Sequence, residues 1–273
     1  GGQGSYEQAK RAWDLLQKHK VDTNILCAVH SANASHPLEV YRFFRDELGA
    51  RFLQFIPIVE RQKPGTRMQA EEDRLASSSG MRLRSVRRVS PVTPRSVGSR
   101  QYGLFLIVVF DEWLRQDVGT VFVQMFDSAL ASWCGLPASV CIFRETCGRS
   151  LVLEHNGDLY SCDHFVGPGH RLGNILERPM LELVNSSPQR QFGQAKCDWL
   201  PAYCRACDVR FACQGECPRN RFIKTPDGKE EGLNYLCAGY RLFFRHVDQP
   251  MRRMANLLRL GRAPAEIMQT ASK

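Results

Sequence analysis

The sequence predicts an α/β protein: a parallel-sheet region followed by a small α+β domain built on cysteines. Three observations predict it. Over the first 60 residues helical and strand-like patterns alternate, and alternation at that pitch implies right-handed crossovers and a parallel sheet. From Cys141 onward the elements become short and cysteines frequent. Eight of the eleven cysteines follow two spacings, Cys141-x5-Cys147-x14-Cys162 and Cys204-x2-Cys207-x5-Cys213-x3-Cys217-x19-Cys237.

Length and composition set the frame. The 273 residues are enough for one large domain or two ordinary ones, and 43% hydrophobic content supports a sizeable core. The longest apolar run, Leu104 to Phe110, has seven residues, against the roughly 20 that a membrane helix needs. No cationic segment followed by an apolar stretch of signal-peptide type is visible. The chain is therefore expected to be soluble and cytosolic, with no membrane partner. That compartment keeps thiols reduced, and an odd number of cysteines cannot all pair. The formal charge is +9, and metal-bound thiolates would offset much of it locally. Leu75 to Phe110 lacks Asp and Glu, and six arginines fall between Arg82 and Arg100. A solvated basic loop is the plain expectation, and a patch for an acidic partner the sharper one. No nucleic-acid module accompanies the charge, so no nucleic-acid partner is expected.

Ser5 and Gln8 form a capping-box pattern, and Ala9, Ala12, Trp13 and Leu16 recur at helical spacing. This predicts a helix to about Lys20 with one buried stripe. Val21 to Val29 reads as a strand buried on both faces, with Cys27 as a small core residue. Pro37 opens a helix whose buried face is Val40, Tyr41, Phe44 and Leu48, ending at Gly49. Arg51 to Val59 is a second strand. Two strands cannot make a sheet that buries both faces, so the expectation is the C-terminal part of a larger layered domain. Residues 62–100 are weakly periodic and rich in Pro, Gly and Ser, which predicts an irregular basic loop. Tyr102 to Arg115 is helical, Thr120 to Gln124 a short strand, and Phe126 to Trp133 a helix. Ser150 to Leu153 and Leu159 to Cys162 flank Asn156-Gly157, a two-residue turn that predicts a hairpin. That hairpin brings Cys147 and Cys162 near one another. Pro201 to Pro218 is a compact knuckle. The last helix spans about Asn234 to Leu260, with Leu242, Phe243, Val247, Met251 and Met254 inward.

The knuckle alone fits a structural zinc site of four thiolates. Yet Cys141, Cys147 and Cys162 lie far upstream and need a fourth partner, while Cys204, Cys207, Cys213, Cys217 and Cys237 are one more than a single site uses. Two sites of four arise if one knuckle cysteine crosses over. Such interleaving favours two iron–sulfur clusters, with zinc as the alternative. Cys134 and Cys197 are left over.

At this point the chain resembles the C-terminal part of the anaerobic sulfatase-maturating enzymes, radical S-adenosylmethionine proteins with a SPASM auxiliary domain. The resemblance is carried by residues 36–44 (HPLEVYRFF), 54–61 (QFIPIVER), 110–113 (FDEW), 121–124 (VFVQ), 157–164 (GDLYSCDH) and the knuckle from Tyr203 to Pro218. It implies that residues 1–135 are the C-terminal part of a partial (β/α)6 barrel. Residues 136–240 would be the SPASM domain, and 241–273 a C-terminal helix and tail. It also implies a division of ligands. Cys141, Cys147, Cys162 and Cys217 would hold one auxiliary [4Fe–4S] cluster, and Cys204, Cys207, Cys213 and Cys237 a second.

In this family a Cys or Ser of an unfolded or nascent sulfatase polypeptide is oxidised to Cα-formylglycine. A 5′-deoxyadenosyl radical takes a hydrogen atom from the side-chain β-carbon, a base takes a proton, and the surplus electron leaves, with flavodoxin or ferredoxin as the implied redox partner. The resemblance puts the base at Asp163, where partial desolvation beside a cluster would raise the carboxylate's pKa. His164 beside it could orient Asp163 or a substrate, with a structural histidine as the plainer reading. Gln54 to Glu60 would face the active site from a strand's C-terminal end. The sequence departs from the family in one respect: the Cys-x3-Cys-x2-Cys motif of the radical cluster does not occur in these 273 residues. S-adenosyl-L-methionine and a third [4Fe–4S] cluster are therefore expected only in a full-length form. The alternatives are a non-catalytic iron–sulfur or electron-transfer protein, or a maturase of another ribosomal peptide.

Overall fold

The computed structural model describes residues 4–62 and 90–270. Helix α1 (Tyr6–Lys18) leads to β1 (Ile25–Val29), α2 (Pro37–Arg42) and β2 (Phe52–Pro57). A π-helical turn, Phe43–Glu47, extends α2, and Gly49 then takes φ +63° to reverse the chain. Helix α3 (Ser99–Gln116), β3 (Phe122–Val123) and α4 (Gln124–Trp133) follow. The strands form one parallel sheet in the order β1-β2-β3, with Ile25 opposite Leu53 and Phe52 opposite Phe122. The mixed helix and sheet architecture agrees with the expected α/β class.

Three expectations for this region change. The expected stripe of α1 is not buried: Ala9 and Ala12 are exposed, Leu16 is 39% exposed, and only Trp13 is half-covered, its indole donating to Leu48 O at 3.0 Å. The Ser5 capping box does not form, because Ser5 sits at φ −101°, ψ 4° rather than in the extended conformation a cap needs. The sheet is buried on one face, not two. Val29, Leu53 and Phe55 are inside, while Leu26, Phe52, Ile56 and Phe122 are each at least 39% exposed. The inner face packs on α3, where Tyr102 donates to Phe55 O at 2.8 Å and the Phe55 and Phe105 rings meet edge-on. No described element covers the other face. The expected basic loop falls mostly on residues 63–89, outside the described residues. Its last part is built into the fold: Val92 and Val97 are buried, and Arg61 bridges Val92.

The cysteine-rich region is a set of short elements. Strands β4 (Val152–Leu153), β5 (Asp158–Tyr160) and β6 (Arg171–Asn174) form an antiparallel sheet. The expected hairpin is its first pair, but not through a two-residue turn: Glu154 N donates to Asp158 O and Gly157 N to Glu154 O, so His155, Asn156 and Gly157 form the loop, with Gly157 alone left-handed at φ +87°. Helices α5 (Met180–Val184), α6 (Ser187–Asp198), α7 (Ala202–Arg205) and α8 (Arg210–Cys213) precede the pair β7 (Arg221–Ile223) and β8 (Leu233–Asn234). Helix α9 (Cys237–Arg259) then returns across the first region and packs along α3. Phe243, Val247, Met251 and Met254 are fully buried as expected, with Tyr240 and Phe244 added, whereas Leu242 is half-buried. The two helices touch backbone to backbone: a Cβ on Gly239 would lie 2.0 Å from Ser99 O, and one on Gly103 2.5 Å from Gly239 O. Among the described residues no helix is long and apolar enough to cross a membrane.

Candidate metal centre

Seven of the eight spaced cysteines line two cavities, three in one and four in the other. Cys141 opens a 3-10 turn (Cys141–Phe143) and lines a cleft of about 860 Å³ together with Cys147 and Cys162. Cys147 is held by its amide, which donates to Gly193 O at 3.0 Å. Gly193 has to be glycine for this approach, since its Cβ would sit 2.7 Å from Cys147 O. Buried Gln189 donates to Gly148 O and Ser161 O at 3.0 and 3.2 Å. It thereby ties the neighbour of Cys147 to the neighbour of Cys162. Cys204, Cys207, Cys213 and Cys237 line a second, smaller cavity.

The charges acting on each thiol divide the same way. Burial pushes Cys162 and Cys217 up to about 12; Cys141 acts on Cys162, and Cys147 and Cys162 act on Cys217. Burial likewise raises Cys237 to about 12, with Cys204 and Cys207 acting on it, and raises Cys213, on which Cys237 and Cys204 act. Two of the upstream three, Cys147 and Cys162, thus act on Cys217. All eleven cysteines are free thiols. Metal binding requires thiolates and releases those protons. Four thiolates are the donor set an iron–sulfur cluster takes.

Asp163 is exposed, and its Oδ1 accepts from Cys162 Sγ at 3.1 Å. The desolvation expected of it is not present in this chain. His164 Nδ1 lies 3.4 Å from Cys217 Sγ, and one ligand atom each of Cys162, Asp163 and His164 lies within 4.8 Å of the others. Cys197 points to Glu145 at 3.6 Å and Cys134 packs on the main core, so neither joins a group. His170 packs between Phe165 and Phe192, and His155 is exposed. The C-terminal end of β2 opens into a cleft of about 420 Å³ lined by Val59, Glu60 and Arg61, with Arg219, Asn220 and Phe222 opposite. Arg61 lies 5.3 Å over the Phe222 ring.

The sequence pattern gave no sign of three charged groups here, Lys196 and Glu216 buried and Arg221 half-buried. Lys196 is 1% exposed, and its ammonium donates to Cys141 O, Ile142 O and Arg144 O. Glu216 lies inside the Cys213–Cys217 segment, and Arg221 follows it by four residues. Burial pushes Glu216 up to about 7, while hydrogen bonds from Asn234 and Asn220 work against that shift. The only sequence signal was position: each lies within five residues of a cysteine.

The hairpin that presents Cys162 is pinned by Asp158. Its carboxylate accepts from Arg171 at 2.6 Å, Asn174 at 3.0 Å and Asn156 at 3.1 Å, and the Arg171 bond chiefly holds it down at about 2. The unfolded carboxyl titrates near ~4. A folded pKa below the unfolded one gives stability that is complete above about pH 4 and is lost as pH falls towards 2. Protection of the amides of residues 152–174, taken relative to the intrinsic exchange rate at each pH, is therefore expected to fall through that window, and Asp158→Asn to abolish the step. A step that survives in the variant belongs to another group.

Comparison with known proteins bears on the same region. Residues 141–208 match the family model of the SPASM iron–sulfur cluster-binding domain. The chain is 42% identical over 270 residues to a serine-type anaerobic sulfatase-maturating enzyme of Bacteroides thetaiotaomicron, covering 98% of this chain and 62% of that protein. It is 29% identical to a cysteine-type enzyme of Clostridium perfringens, covering 93% and 62%. The solved structure described as native anSMEcpe with bound AdoMet matches with a TM-score of 0.74 at 28% identity, covering 93% of this chain and 62% of that one. The chain thus spans about three-fifths of the length of these relatives. Over nearly its whole length it is thus similar to about three-fifths of the anaerobic sulfatase-maturating enzymes, in sequence and in fold, and residues 141–208 match an iron–sulfur cluster-binding domain.

Proposed function

We propose that this chain is the part of a sulfatase maturase that carries two auxiliary [4Fe–4S] clusters. Cys141, Cys147, Cys162 and Cys217 hold one, and Cys204, Cys207, Cys213 and Cys237 the other. What supports this reading is that Cys141, Cys147 and Cys162 line one cavity, Cys204, Cys207, Cys213 and Cys237 line another, and Cys147 and Cys162 act on Cys217. The domain so defined runs past residue 208, across 136–240, because Cys213, Cys217 and Cys237 belong to it.

In a longer form bearing the Cys-x3-Cys-x2-Cys motif and S-adenosyl-L-methionine, the reaction is oxidation of a sulfatase side chain to formylglycine. The higher identity to the serine-type relative favours serine as the target. When bound, auxiliary clusters supply a one-electron sink. Asp163 takes the substrate proton, and its exposure leaves it open to an unfolded sulfatase polypeptide. His164 holds the turn beside it through Cys217. A flavodoxin or ferredoxin is the redox partner, and the cytosol the setting.

The test is iron, sulfide and zinc per chain after anaerobic reconstitution. About eight irons with matching sulfide are expected from two cubanes. One or two zinc ions without sulfide would overturn the reading. Asp163→Asn in a full-length form is expected to lower formylglycine yield about 100-fold or more, the range for loss of a general base. An unchanged yield removes Asp163 from that role.

A further inference from the structure

Between Cys213 and Cys217 the backbone is left-handed three times in succession: Gln214 at φ +48°, Gly215 at +70° and Glu216 at +51°. For residues with a Cβ this conformation costs roughly 1–2 kcal/mol each, so something must hold it. The holder is Arg221. Its Nη2 donates to Gln214 O at 3.0 Å and Glu216 O at 3.1 Å, and its Nε donates to Gly215 O at 2.9 Å. All three carbonyls of the turn thus converge on one guanidinium. A Cβ on Gly215 would clash with Leu200 Cδ2 and meet Arg221 Nη2 at 2.8 Å, so the middle position admits Leu200 and the guanidinium together only as glycine.

The same side chain reaches the other group. Arg221 Nη1 donates to Lys196 O at 2.6 Å, and the Lys196 ammonium donates to the carbonyls of Cys141, Ile142 and Arg144. Two cations therefore brace the segment of Cys141 and the segment of Cys213 and Cys217 together. Among the described residues neither cation is in an ion pair within 4.0 Å. The negative groups acting on Lys196 are Cys147, Cys217 and Glu216, and those acting on Arg221 are Cys204, Glu216, Cys147 and Cys213. Burying an unpaired cation costs several kcal/mol. Glu216 is one carboxylate facing both, and Asn220 and Asn234 already donate to it. The remaining negative charge available at this place is that of thiolates from both groups.

We propose that Arg221 is the positioning residue that divides Cys213 and Cys217 between the two cluster sites, and that Arg221 and Lys196 together are the shared counter-charge of both clusters. The proposal rests on the two-cluster reading. A positive charge fixed between two anionic centres favours their reduced forms, so the pair raises both reduction potentials.

The test uses the full chain, reconstituted anaerobically, with iron and sulfide content and an EPR-monitored redox titration as readouts. Wild-type content comes first: without about eight irons the cluster reading itself fails, which is distinct from the outcomes below. Arg221→Gln is expected to lose at least half the wild-type iron, drawn from both sites, and Arg221→Lys to recover part of it. Lys196→Met is expected to keep its iron while both potentials move negative. The ratio of reduced to oxidised cluster should fall about tenfold at fixed poise, a shift of 59 mV for one electron, with the larger shift at the Cys141 site. Should Lys196→Met lose iron, Lys196→Arg must restore both content and potentials. Wild-type iron and potentials in Arg221→Gln would overturn the positioning role. Unmoved potentials in an iron-replete Lys196→Met would overturn the charge role.

Discussion

Gly239→Ala is expected to destabilise the chain by about 2–4 kcal/mol, a large effect for one methyl group. The added Cβ would lie 2.0 Å from Ser99 O and 3.0 Å from Ser99 C. Both are backbone atoms of the first turn of α3, so no side chain can swing aside. Overpacking of this kind typically costs about 1–3 kcal/mol, and more where the obstacle is rigid. Forcing the helices apart also breaks the bond from Gly239 N to Ser99 Oγ at 3.0 Å, worth roughly 1 kcal/mol. The better helix propensity of alanine returns at most ~1 kcal/mol. The damage reaches the metal centre, because Gly239 lies two residues beyond Cys237 and α9 also carries Tyr240, which packs edge-on against Tyr102. Chemical denaturation measures the loss, with exposed Gln249→Ala in the same helix expected to stay within about 0.5 kcal/mol of wild type. Equal midpoints for the two variants would mean that α3 and α9 do not touch as described.

Which features of this chain were legible in its sequence follows from what kind of signal each one left. Long amphipathic helices announce themselves by period, and α3 and α9 lie within a few residues of their expected ends. Pro250 did not break α9, which runs through it to Arg259. The Asn156-Gly157 pair located the first hairpin, although the turn is a three-residue loop with only Gly157 left-handed, because both kinds of turn take glycine at that place. Residues 171–198 were silent, since β6, α5 and α6 are short and α6 buries Gln189 and Lys196, polar residues that periodicity assigns to solvent. The apolar run of β1 suggested burial on both faces, yet run length alone cannot separate that case from a one-sided sheet with apolar residues left outside. Leu26, at 61% exposed, is the residue that marks the difference. At the metal centre, spacing identified which cysteines gather. It carried no trace of the left-handed turn or of Arg221, because backbone handedness and a guanidinium folded onto carbonyls leave no pattern in composition.

The crossover of Cys217 makes the second large prediction, and sequence proximity gives the opposite answer. Cys213 and Cys217 are separated by three residues, so a single knuckle site would lose its metal if either were removed, and removing both would add little. The folded chain sets Cys213 beside Cys204 and Cys237, and Cys217 beside Cys147 and Cys162. Cys213→Ala and Cys217→Ala should therefore each remove about four of about eight irons, from different clusters. Combining them should leave little iron, while Cys213→Ala with Cys237→Ala should lose no more than either alone. Groups serving one site are non-additive, and groups serving independent sites add. EPR of the reduced single variants provides a second check: each should retain a different one of the two wild-type cluster signals. If Cys213→Ala with Cys217→Ala behaves as the redundant pair, both thiols hold one centre. The left-handed turn at Gln214–Glu216 would then be a feature of one loop and not the point at which the chain divides its ligands.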